Sequence, residues 1–88
     1  MILVMASVFR WNGWNSEHVA KHGCAPAEAE RVVRGAGRGW PRNIGDGKWR
    51  VEGRGQGGRV IEVVFVRDPD RTLYIIHAMP LTTRRRRG

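Results

Sequence analysis

The apolar positions of this chain change period halfway along, from helix spacing to strand alternation. Near the start, Val8-Phe9-Arg10-Trp11 alternates and then meets Asn12-Gly13, the pattern of a short strand ending in a turn. A helix-sized stretch follows, from Trp14 to Gly23. Asn15 or Ser16 is the expected cap, Glu17 falls in the first turn where negative charge is favoured, and Gly23 closes the segment. A second helix is expected from Pro26, whose missing N–H costs nothing in a first turn, with Ala29, Val32 and Val33 forming a stripe at spacings of three and four. Gly35 ends it, and Gly35-Ala36-Gly37-Arg38-Gly39 is too flexible to continue it.

The second half alternates. Lys48-Trp49-Arg50-Val51-Glu52 reads as a strand with one buried face, Arg59 to Arg67 is a nearly continuous β-branched run, and Thr72 to Met79 is a further strand. Gly45-Asp46-Gly47, Gly55-Gln56-Gly57-Gly58 and Asp68-Pro69-Asp70-Arg71 separate these segments at hairpin length. Strict alternation puts Leu73, Ile75, His77 and Met79 on one face of the last strand and Tyr74, Ile76 and Ala78 on the other. The expected architecture is α+β, two N-terminal helices packed on an antiparallel β-sheet. Residues 1–83 form one domain and residues 84–88 a basic tail, with no internal repeat.

Charge narrows the partners. The 88 residues carry a formal net charge of +8, and fourteen of the sixteen basic side chains are arginine. Without Arg84 to Arg87 the excess is still +4 (12 basic against 8 acidic), so it is not only a property of the tail. Arginine's planar fork of donors matches phosphate, so RNA or DNA is the natural polyanion; one alternative is a solvated basic tail with ordinary surface arginines and no functional role, another an interaction domain whose basicity matches an acidic partner. Cys24, the single cysteine, allows no internal disulfide and suits a reducing compartment or a buried apolar site. The opening Met1-Ile2-Leu3-Val4-Met5-Ala6-Ser7-Val8 lacks a charged leader and is short for a signal peptide or a membrane span, so a soluble cytoplasmic protein is expected.

Proton-transfer chemistry centres on the first helix. His18 and His22 are four apart and share one helical face, with Lys21 beside them. Arg50, Glu52 and Arg54 share one face of their strand. If the helix edge lies over that sheet face, imidazole, guanidinium and carboxylate converge as RNA cleavage requires: a base for the 2′-hydroxyl, cations for the phosphorane and an acid for the leaving oxygen. Other roles stay open. His22 before Gly23 suits a helix C-terminus, His77 suits a half-buried hydrogen-bonded position, and Glu52 suits pairing with Arg50 or Arg54. Of Trp11, Trp14, Trp40 and Trp49, at least two are expected in the core, the rest being free to stack on bases. No metal is expected, since no third ligand accompanies His18 and His22 in the nearby sequence.

Phe9-Arg10-Trp11, Asn15, Lys21-His22-Gly23, and Glu28 and Glu30 before Val32-Val33 follow one another in a familiar order. Behind them come Gly53-Arg54, the strand around Val63-Val64-Phe65-Val66, and Tyr74-Ile75-Ile76-His77-Ala78. In order and spacing, over residues 9 to about 83, the chain resembles the BrnT family of bacterial toxins. The resemblance implies a RelE/ParE-like fold, metal-independent endoribonuclease activity on messenger RNA, no cofactor, and a cognate antitoxin protein as partner, with no membrane role. By similarity, Lys21 and His22 match the family's lysine-histidine-glycine segment, and Arg54 falls near the arginine of its central strands. The last strand departs from the pattern: His77 stands where the family has serine, and Met79 where it has arginine. The resulting site assignment is His22, Lys21, Arg54 and His77 for catalysis, with Arg50, His18, Arg84 and Arg85 for RNA phosphate. The alternative is a non-catalytic RNA- or protein-binding member of the same fold.

Overall fold

The computed structural model describes residues 7–81. The expected basic tail, with Arg84 and Arg85, lies outside them. The elements run β1 (Phe9–Arg10), α1 (Gly13–Lys21), α2 (Pro26–Arg34), β2 (Arg42–Gly45), β3 (Lys48–Arg54), a single 3₁₀ turn (Gln56–Gly58), β4 (Val60–Arg67) and β5 (Leu73–Pro80). The fold is α+β, with five strands in the order β1-β5-β4-β3-β2.

The sheet is mixed, which corrects the antiparallel expectation. β3 to β5 form the antiparallel meander that the turns foretold and β2 adds to β3 antiparallel, whereas β1 joins β5 in parallel, Phe9 opposite Leu73 and Arg10 opposite Tyr74. No hairpin links these two strands, so local turn chemistry does not set their direction. Long-range bonds do: the Leu73 N–H donates to the Val8 carbonyl at 2.9 Å, and Arg10 grips Asp68 through two hydrogen bonds of 2.8 and 3.1 Å. The helices therefore lie between β1 and β2, not ahead of the whole sheet. β2 itself has no buried residue, which is why its sequence shows no alternation.

α1 begins earlier than expected. Asn12 is its cap, accepting from the Asn15 N–H at 3.2 Å, while the Asn15 side chain accepts from the Asn12 N–H at 2.8 Å. Asn15 is thus the third helical residue. Its amide also donates to the Arg10 carbonyl at 3.2 Å and to the Ile75 carbonyl at 2.9 Å, and it is wholly buried. One side chain consequently closes the helix start and fastens it to β5. At the other end Gly23, with φ +79°, adopts the left-handed conformation that ends the helix.

α2 matches its stripe: Ala29, Val32 and Val33 are buried with Val51, Ile61, Val63 and Ile75. Val32 packs so closely on β3 that a Cβ at Gly53 would stand 3.3 Å from its Cγ1. Glu28 is also buried. Its carboxylate accepts from the Gln56 N–H at 2.7 Å and from Arg59 at 2.9 and 3.3 Å, while Arg59 donates to the Gly23 carbonyl at 2.7 Å. This pair ties α1, α2 and the β3–β4 connection together.

A bulge in β5 revises the face assignment of the last strand. Val64 pairs with His77 and Phe65 with Ile75, so Ile76 is an extra residue and the alternation changes phase there. Leu73, Ile75 and Ala78 all enter the core, and Tyr74, His77 and Met79 lie on the opposite face. Trp11, Trp40 and Trp49 pack against the core cluster, Trp14 is 55% exposed, and Cys24 is buried as expected. No helix among the described residues is long and apolar enough to cross a membrane.

Candidate functional site

β1 covers only the first two positions of β5, and α1 packs beside the remainder, held there by the Asn15–Ile75 bond. The helical face with His18 and His22 therefore borders the outer sheet face at the point where the bulge brings His77 out. The His18 and His22 rings lie 5.8 Å apart between centroids, edge on, and His22 and His77 are also 5.8 Å apart. One ring nitrogen from each of the three lies within 4.8 Å of the other two. His18 and His77 are half-buried and His22 is exposed.

Aromatic contacts extend this cluster along α1. Trp14 stacks on His18 at 4.8 Å with the planes 9° apart, and Tyr74 follows at 6.5 Å from Trp14. The Arg10 guanidinium sits 4.0 Å over the Tyr74 ring, and the Tyr74 hydroxyl donates to Asn12 at 3.1 Å. Spacing of four along one helix gave a visible hint of the Trp14–His18 stack. No hydrogen bond to another described residue holds any nitrogen of the three imidazoles, which meet one another and Trp14 only through ring contacts. Burial lowers the pKa of His77 from its ordinary value, Glu62 opposes this, and His22 and His18 add to the lowering, so its neutral form is favoured.

The arginines are placed differently from the sequence expectation. Arg50 lies in the same cross-strand row as His77, with Val64 between them. It is not a free phosphate ligand: its Nε donates to Glu62 at 3.0 Å and its Nη2 to Glu52. Glu62 had a visible sign, a carboxylate inside the apolar run Val60-Ile61-Glu62-Val63. Arg54 is four positions further along β3, about 13 Å at strand rise. Its Nη1 donates to the Gly58 carbonyl at 2.7 Å, so it belongs to the far end of the sheet and not to the histidines. Lys21 is exposed next to His22, and no described side chain pairs with it.

The structure thus gathers His18, His22 and His77, sets Arg50 with its two carboxylates one strand beyond Val64, and leaves Arg54 apart. The third imidazole, absent from the sequence around His18 and His22, comes from β5. Three adjoining imidazoles can carry protons or coordinate a cation. No protein-family profile, curated protein or solved structure matches this chain.

Proposed function

We propose that this protein is a BrnT-like toxin of RelE/ParE-like fold that cleaves messenger RNA without a metal, using His22 and His77 as its pair of proton carriers. The observation that supports this is their juxtaposition: imidazoles from α1 and β5, brought to 5.8 Å on an open face of a strongly basic protein. One takes the proton of the 2′-hydroxyl as that oxygen attacks phosphorus, and the other returns a proton to the departing 5′-oxygen. Lys21, unpaired beside His22 among the described residues, adds positive charge where the phosphorane forms, and exposed Trp14 offers a surface on which an unpaired base stacks. A cognate antitoxin would neutralise the protein by covering this face or by adding a strand to β2, whose outer edge pairs with no strand among the described residues.

The test is cleavage of single-stranded RNA by the purified protein in EDTA. His22→Ala, at an exposed position, should lower the rate by about 100-fold or more with the circular dichroism spectrum unchanged. An unaltered rate in both His22→Ala and His77→Ala would exclude the assignment.

The pairing of Arg50 with Glu52 and Glu62 favours a second reading. With its donors engaged and Met79 in place of an arginine, the face has few cations aimed at a phosphate, which suits a non-catalytic RNA- or protein-binding member. RNA that binds with steep salt dependence and stays intact would select this reading.

A further inference from the structure

We propose that His18, His22 and His77 form a binding site for one divalent transition-metal ion of the zinc class. Their three donor nitrogens are mutually within 4.8 Å. Tetrahedral zinc–imidazole bonds of about 2.0–2.1 Å hold their nitrogens roughly 3.4 Å apart, so capture needs a contraction of at most about 1.4 Å for any pair. Rotation of rings that are exposed or half-buried supplies it, and no hydrogen bond to another described residue has to break first.

The frame is suited to the ion. Histidines four apart on a helix present two ligands on one face, and β5 supplies the third from an element that α1 cannot leave without breaking the buried Asn15–Ile75 bond. Trp14, stacked on His18, orients that ring. The donor set is all nitrogen, which selects zinc, copper, nickel or cobalt over magnesium or calcium. Three protein ligands leave a fourth position for water. Arg50, in the cross-strand row of His77, is already paired with two carboxylates, and Glu62 lies diagonally across from His77 in the β4–β5 register. Ion binding stands on this geometry whatever the protein does to RNA. Should the imidazoles carry protons as proposed above, a bound ion occupies their lone pairs and inhibits cleavage.

Titration of EDTA-stripped, dialysed full-length protein with Zn(II) followed by calorimetry should give one equivalent per chain. Co(II) should produce the visible absorption bands of a four-coordinate site. His22→Ala and His77→Gln should each weaken Zn(II) binding by more than the roughly 10–100-fold that loss of an outer-shell partner costs. Two different ligand variants guard against a folding defect, and each is checked by circular dichroism. Absence of saturable Zn(II) binding, or wild-type affinity in both histidine variants, would overturn the site. None of these readouts depends on RNA cleavage.

Discussion

Replacing Asn15 by alanine removes one side chain from three jobs at once. Its carbonyl oxygen accepts from the Asn12 N–H at 2.8 Å, and its amide donates to the Arg10 and Ile75 carbonyls at 3.2 and 2.9 Å. Each such bond contributes about 1 kcal/mol net, and a buried group left without its partner costs about 1–3 kcal/mol. The Ile75 bond is wholly buried and the others partly so, which puts the loss at about 3–4 kcal/mol. In a domain of this size that is a fall in Tm of about 12–32 °C, at roughly 4–8 °C per kcal/mol. Thermal and urea unfolding followed by circular dichroism read this directly. Asn15→Asp separates the roles: the carboxylate keeps the acceptor for Asn12 but turns an oxygen toward two carbonyls, so it should be at least as destabilising as alanine near neutral pH and recover partly in acid as a proton restores one donor. A Tm within about 4 °C of wild type for Asn15→Ala would refute the claim that this residue locks α1 to β5, since that is the shift expected from about 1 kcal/mol or less.

Gly55→Ala should cost about 1–3 kcal/mol or more by urea unfolding, because its Cβ would fall 2.4 Å from Glu28 Oε2 and 2.7 Å from Ile61 Cγ1. Gly13→Ala, in the first turn of α1 with open space around it, should instead stabilise by about 0.5–1 kcal/mol. Burial pushes the Glu28 carboxyl up, but hydrogen bonds from Arg59 and Gln56 outweigh it and hold the pKa below the ordinary value. Its contribution is therefore present above the unfolded-state pKa and lost as pH falls through the lower folded value; Glu28→Gln should flatten this acid limb in unfolding free energies measured from about pH 7 to about pH 3. Trp14→Ala should leave the Tm nearly unchanged and weaken binding of single-stranded RNA by about 1–3 kcal/mol in fluorescence anisotropy, equal affinity counting against a stacking role.

Much of the fold was legible. Pro26 with Ala29, Val32 and Val33 marked α2, alternation around Val51 marked β3, and Gly45-Asp46-Gly47 marked the first hairpin; all three residues of that turn have positive φ. These features are local, since helix and strand periods and turn conformations follow from residues a few positions apart. The pair His18 and His22 was legible for the same reason. β2 was not, because a fully exposed edge strand has no buried face to impose alternation.

What the linear order left open was every choice made between distant segments. Asn12, Asn15 and Ser16 are all competent caps, and the Ile75 carbonyl on β5 draws Asn15 inward and leaves the cap to Asn12. Nothing around Ile76 announces a bulge, since neither glycine nor proline stands there; the pairing of β5 with β4 creates it and so turns His77 toward His22 and Ala78 toward the core. The same cross-strand register gives Arg50 to Glu62. Residue chemistry supplied the imidazoles and the positive charge. Their meeting, and the neutralisation of Arg50 in the cross-strand row of His77, came from register and packing, where one residue of slip reverses the face a side chain occupies.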